Sequence, residues 1–439
     1  CLGLHALQHR GQESAGIAAV QGSRMQAHRG LGLVQDVFPA ETLARLPGNA
    51  AIGHVRYSTA GGNHIKNAQP LAVDYAKGAL AVAHNGNLTN GRSVRRELEA
   101  QGSIFASASD TEVVIHLIAR SLRDTLVERV VEALHRLEGA YSMVFLADDQ
   151  LIVARDAHGF RPLCMGRLGD GVLFASEPPA LELVGGQYLR DVEPGEVIVV
   201  RADGTESLHP FAPVERRACI FEYVYFARPD ATLGGVGVYA ARKRLGARLA
   251  EEQPVDADVV IPVPDSGVPA AMGFAEQTRL PFELGLIRSH YVGRTFIEPQ
   301  QSIRLLGVRL KLHPVRAILA GKRVAVIDDS IVRGTTSQKL VRMLRDAGAA
   351  EVHLRISSPP TRWPCFYGID TPTREELLAS THSPEQIAAY VTADSVGYLS
   401  VDGLHAAIGR EGHCDACFSG HYPVPARDPH PRALPQMVT

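Results

Sequence analysis

One run narrows the choice of fold more than any other: Arg323-Val-Ala-Val-Ile-Asp328-Asp329-Ser330-Ile-Val-Arg333-Gly334-Thr335-Thr336-Ser337. An apolar strand ends in two adjacent carboxylates. A loop with one glycine and several hydroxyl residues follows, and the spacing beyond it predicts a helix over Thr336–Ala347. Open α/β sheets place their ligands at the carboxyl ends of strands. Backbone N–H groups at a helix N-terminus, with Ser and Thr hydroxyls, hold a phosphate. The two aspartates suit ribose hydroxyls or a Mg²⁺ carried on a pyrophosphate. The plainer alternative is a capped turn with solvated acids. A lone Asp-Asp pair would fit that; the strand before it and the Gly-Thr-Thr-Ser after it favour a ligand loop.

The surrounding chain keeps this rhythm. Val259–Pro262 reads as a strand, Val263-Pro264-Asp265-Ser266-Gly267 as a turn, Val268–Gln277 as a helix, and Glu351–Ser357 as a further strand. Such units build a parallel sheet, and Ser266 is placed to serve a pyrophosphate or its metal. Between them, Arg288 to Pro299 combines Gly293, Arg294 and hydroxyl residues. That suits a lid able to close over an anion, with a surface loop as the alternative. The first half differs. Strands are expected at Ala51–Arg56, Ala79–His84, Tyr141–Ala147, Leu151–Arg155, Gly171–Ala175 and Glu196–Arg201, and helices over Asp110–Leu122 and Thr125–Leu137. This is an α+β layout of two antiparallel sheets with a helical layer. With room for two to four domains in 439 residues, the division is expected at 1–212 and 213–421. The Pro-rich tail, 422–439, is expected to be extended or disordered.

Lys plus Arg is 45 against 47 Asp plus Glu, so no overall field draws in a polyanion. A nucleic-acid coat and a polybasic membrane binder are thereby excluded. No apolar run approaches the roughly 18–20 residues of a membrane span. Six cysteines are too few for a disulfide scaffold, and a reducing cytoplasm is expected. Cys414-Asp-Ala-Cys417 is a CxxC pair, and with Cys219 and Cys365 it provides four thiolates for one site. Zn²⁺ and an iron–sulfur cluster both accept such a set, and spacing does not choose between them. Cys164 is read as a core thiol.

The Asp328–Ser337 segment resembles the phosphoribosyl-pyrophosphate (PRPP) loop of type I phosphoribosyltransferases. The resemblance assigns PRPP binding to Asp328, Asp329, Ser330, Arg333, Gly334, Thr335, Thr336, Ser337 and the lid's Arg294, and Mg²⁺ to Ser266, Asp328 and Asp329. Four polar segments of the first half are Gln8–Gly16, Gly53–Gly61, Ala83–Leu88 and Ser109–Glu112. Each has a structural reading alone; Asn-Gly signals a turn and Ser-Asp-x-Glu approaches a capping pattern. Together they resemble the N-terminal-nucleophile (class II) glutaminase sandwich. That resemblance implies that Arg56 and Thr59 hold glutamine, Asp110 takes its ammonium, and Asn85 and Gly86 form the oxyanion hole.

From about Gly3 to Tyr422 the whole arrangement resembles the amidophosphoribosyltransferase family. The family implies transfer of the amide nitrogen of glutamine to PRPP, giving phosphoribosylamine, at the entry to purine synthesis. Purine nucleotides as inhibitors and a homo-oligomer are implied as well. For the four cysteines, the resemblance implies the branch of the family with a 4Fe–4S cluster. It also implies a nucleophilic cysteine opening a Cys-Gly-(apolar)-Phe-Gly strand well upstream of the Gln-His-Arg-Gly-Gln run. Cys1 lies only seven residues before Gln8, with no room for that strand. Cys1 is therefore expected to be an ordinary cysteine preceded by a missing segment. The chain as it stands is expected to lack glutaminase activity while still using free ammonia with PRPP. Ser289 and His290 stand where the family often carries Asn and Arg.

Overall fold

The computed structural model describes residues 1–57, 64–289 and 311–428. In the first half, strand Ser14–Gln21 sits between Arg24–Leu31 and Ala50–Arg56 in an antiparallel sheet. A six-stranded antiparallel sheet lies against it, with Gly78–Leu88, Gly139–Leu146 and Leu151–Arg155 among its central strands. Side chains of a strand alternate between faces, and here each face finds its own partner. Leu80 and Val82 pack on helices Gly91–Ala100, Thr111–Arg120 and Leu126–Leu134, whereas Ala81 and Ala83 pack on Ala18, Val20 and Ile52 of the smaller sheet. Alanine on the inner face lets the two sheets approach closely. The outer face of the smaller sheet is covered by Leu4, Val34, Val37 and Phe38, giving four layers.

The second half is a four-stranded parallel sheet in the order Val259–Pro262, Arg323–Asp328, Glu351–Ile356, Ser395–Tyr398. Its strands are buried on both faces, as their continuous apolar runs require. Ala325 and Ile327 face helices Val238–Glu252, Val268–Thr278 and Val401–Ile408; Val324 and Val326 face Thr335–Asp346 and Pro384–Val391.

Two details depart from the sequence reading. Asn85-Gly86 does not end its strand in a turn: pairing with the Gly139–Leu146 strand continues to Leu88. Gly86 has φ +149, and a Cβ there would lie 2.0 Å from the Ala140 carbonyl oxygen, so glycine is needed inside the sheet. Asp110 stands at the start of its helix but makes no capping hydrogen bond with its side chain, because its Oδ2 accepts from the Leu88 N–H at 2.9 Å. The tail is anchored as far as Asp428. The Asp428 carboxylate accepts from the Arg92 N–H and Ser93 hydroxyl, both at 2.7 Å, at the start of helix Gly91–Ala100. Tyr422 donates to the Pro364 carbonyl at 2.6 Å. No described helix is long and apolar enough to cross a membrane.

Candidate functional site at the junction of the two halves

A cavity of about 540 Å³ lies between the halves. Its wall takes Arg56, Asn85, Gly86 and Asp110 from one side, Asp328 through Ser337 from the other, and all four predicted cluster cysteines. Two backbones touch across the junction: a Cβ on Gly368, at φ +99, would lie 2.8 Å from Gly86 Cα. Phe160 and Tyr367 stack beside it with ring centroids 4.2 Å apart.

On the amide side, Arg56 ends its strand and is buried; burial lowers its pKa, and the charges of Glu13 and Asp110 oppose that shift. Asp110 is held against the Gly86 strand by its Leu88 hydrogen bond. Asn85 Nδ2 donates to Ser176 Oγ at 3.5 Å, and its Oδ1 accepts from Arg161 Nε at 3.4 Å. Beneath them His84 is fixed at both ring nitrogens, 3.1 Å from the Ala140 carbonyl oxygen and 3.2 Å from Thr111 Oγ1. The His54 imidazole is pushed down to about 3, first by burial and then by Arg56, so it is neutral near pH 7. Thr59 lies outside the described residues.

On the phosphate side, the register Pro262↔Ile327 brings the two turns together at the strand ends. Ser266 donates to Asp329 Oδ1 at 2.5 Å, and Ser330 to Asp329 Oδ2 at 2.6 Å. The Asp329 N–H donates to Asp328 Oδ1 at 2.9 Å. Burial raises the pKa of both carboxyls, and the neighbouring Asp329 charge raises Asp328 further. Paired, raised carboxylates with a hydroxyl between the turns are a fitting donor set for a hard cation that brings its own phosphate ligands. Gly334, at φ +73, turns the chain into helix Thr335–Asp346, whose first-turn N–H groups have no partner within the helix. Arg333 is exposed and pairs with Glu376 at 3.0 Å. Arg294, with the other residues from His290 to Leu310 of the expected lid region, lies outside the described residues.

The cysteines converge through a short parallel pairing, Ala218–Cys219 with His413–Cys414, which sets Cys219 beside Cys414. Cys417 follows within Ala416–Ser419, and Cys365 accepts from the Tyr367 N–H at 3.3 Å. Burial raises all four thiols, Cys219 to about 12, and their mutual proximity adds to this for Cys414 and Cys417. None is in a disulfide. Arg161, wholly buried, lies near Cys219 and Cys365; its Nη2 pairs with Glu222 at 3.0 Å, and its Nη1 lacks a hydrogen-bond acceptor among the described residues. Four gathered thiols beside a cation with unused donors fit an anionic sulfur cluster. Among the described residues, no three His, Cys, Asp or Glu form a single-ion site. Cys1 is exposed at the start of helix Leu2–Ala6 and is not among the cavity-lining residues.

The glutamine amidotransferase domain family matches residues 54–183, and the phosphoribosyl transferase domain family matches residues 238–357. The chain is 56% identical over 427 residues to the chloroplastic amidophosphoribosyltransferase of Glycine max, covering 96% of this chain and 75% of that protein. It is 52% identical over 429 residues to the amidophosphoribosyltransferase of Bacillus subtilis, covering 96% and 90%. This chain belongs to the amidophosphoribosyltransferase family. The solved glutamine PRPP amidotransferase of B. subtilis, complexed with ADP and GMP, superposes with a TM-score of 0.93 at 50% identity, covering 99% of this chain and 96% of that one. As a family member, the chain is a transferase that joins a glutamine amidotransferase to a phosphoribosyltransferase at the first step of purine biosynthesis.

Sequence reasoning missed what fastens the amidophosphoribosyltransferase halves together. Arg10 donates to Glu177 and, through both terminal nitrogens, to Glu222 at 3.0 and 2.8 Å. The Glu177 carboxyl is held down at about 2: burial opposes this, but Arg10 and His9 outweigh it. The one available signal was the unusual polarity of Gln8-His9-Arg10. Nothing in the sequence around Glu222 marked it.

Proposed function

We propose that the shared cavity joins two reactions. At the first half, water cleaves the side-chain amide of glutamine to glutamate and ammonia. At the second, ammonia attacks C1 of PRPP and pyrophosphate leaves, giving 5-phosphoribosylamine. The observation that carries this reading is the single cavity whose wall holds both Asp110 and Asp328. Arg56, with Thr59, takes the carboxylate of glutamine, and Asp110 its ammonium. The Asn85 carboxamide and the Gly86 N–H stabilise the negative charge that develops on the amide oxygen. Asp328 and Asp329 orient the ribose, and Ser330 to Ser337 receive a phosphate at the helix start. Ser266, Asp328 and Asp329 would hold Mg²⁺, which when bound neutralises charge on the departing pyrophosphate. Arg333, and Arg294 from the lid, add positive charge.

The direct test is pyrophosphate release from PRPP with glutamine or with ammonium as nitrogen source. Release that requires PRPP and a nitrogen source is expected; no release with either refutes the reading.

Cys219, Cys365, Cys414 and Cys417 would ligate a 4Fe–4S cluster that pins the tail beside the cavity, as in the iron–sulfur branch. The unused donors of Arg161 support this. Protein purified without oxygen is expected to be brown, with roughly four irons per chain, and Cys365→Ser to lose them. A colourless zinc protein overturns it. A reducing, cytoplasmic setting is part of the same proposal and rests on cysteines too few for a disulfide scaffold; the Glycine max relative is named chloroplastic. The relative solved with ADP and GMP supports purine nucleotides as inhibitors. A homo-oligomer is part of the same proposal.

A further inference from the structure

We infer that Arg161 is a positioning residue that sets the Asn85 carboxamide, and that Glu222 of the phosphoribosyl half holds Arg161 in place. This rests on the reading of Asn85 as an oxyanion donor. A carboxamide helps an oxyanion only when Nδ2 faces it; turned over, it presents an acceptor and repels the charge. Something must therefore hold Oδ1 away from the cavity. Arg161 Nε does so, at 3.4 Å, and Ser176 Oγ accepts from Nδ2 at 3.5 Å. Both contacts are long, so the orientation of Asn85 depends on where Arg161 sits.

Arg161 sits where it does because of the other half. Its Nη2 lies 3.0 Å from Glu222 Oε1, and both side chains are buried. Burial works against the guanidinium charge, and Glu222, together with Cys219, Cys365 and Glu177, outweighs it. Glu222 begins a single turn of π-helix, Glu222–Phe226, a geometry that concentrates at functional sites. The Phe226 ring of that turn lies under both Arg161, at 5.0 Å, and Arg10, at 4.8 Å. Tyr225 and Phe226 also line the shared cavity. One turn of the phosphoribosyl half thus touches both the path between the sites and the arginine behind the oxyanion donor. An arginine suits this part because it never loses its proton and reaches two partners at once. A lysine has one ammonium to share between Asn85 and Glu222.

Arg161→Lys and Glu222→Gln keep size; the first alters both links of Arg161, and the second keeps Arg161 while loosening Glu222's hold on it and on Arg10. The ratio of glutamine-dependent to ammonium-dependent turnover is expected to fall roughly tenfold or more in each, through kcat, with the KM for glutamine within about twofold. A crystal structure of Glu222→Gln is expected to show the Asn85 carboxamide turned from its wild-type orientation. That readout needs no glutamine turnover. An unmoved Asn85 overturns the proposal, as does an unchanged ratio in both variants. Asn85→Ala keeps the two ideas apart. If it leaves glutamine turnover intact, the oxyanion reading fails; if it is severe while Arg161→Lys is silent, only the positioning role fails.

Discussion

Replacing Asp328 with asparagine is expected to lower pyrophosphate release from PRPP by about a hundredfold or more, with ammonium or glutamine as nitrogen source. The side chain barely changes size, so packing at the end of strand Arg323–Asp328 is kept. What disappears is one of two adjacent negative charges in a buried setting. Burial and Asp329 already resist ionisation of Asp328, so the site is built for a partner that supplies positive charge or hydroxyl donors. Ribose hydroxyls and Mg²⁺ on a pyrophosphate are such partners. The carboxamide offers one acceptor where two stood, and no charge. Because the lesion lies beyond the point where ammonia enters, free ammonium cannot bypass it. Rescue by ammonium would place Asp328 outside the transferase chemistry.

The second large effect is expected at the other end of the cavity. Asn85→Ala should cut glutamine-dependent release by about 10²–10³, the usual cost of one oxyanion donor. Free ammonium should bypass this lesion, because the transferase half is untouched. The two substitutions therefore give opposite responses to ammonium, and rate measurements with the two nitrogen sources assign each residue to its half. Equal losses with glutamine and ammonium in Asn85→Ala would mean that the residue supports the whole cavity rather than one reaction.

The two sites differed in how far the sequence revealed them. The proposed PRPP loop is local: strand, acids, glycine and helix start lie within Arg323–Ser337, and the structure keeps that order. Local geometry of this kind is legible because each residue type has one natural place. The proposed amide site is assembled from Arg56, Asn85 and Asp110, which three different elements bring together, and only resemblance linked them. Asn85-Gly86 shows why local reading fails there. The dipeptide favours a turn, but eight paired residues along the neighbouring strand outweigh that preference. Asp110 misled in the same way: it stands at a helix start, yet a strand N–H across the site takes its carboxylate. The Arg10–Glu222–Arg161 contacts were the least legible. Buried ion pairs between distant segments follow no spacing rule, and isolated charged residues in a sequence are usually solvated.

The proposal has one cavity serve both reactions. It is tested most directly by supplying glutamine labelled with ¹⁵N in its side-chain amide, together with PRPP and an excess of unlabelled ammonium, and measuring the label in phosphoribosylamine. Passage of ammonia through the interior between Asp110 and Asp328 would give a product enriched in ¹⁵N far above the label in bulk ammonium. A product whose label equals that of the bulk would contradict it.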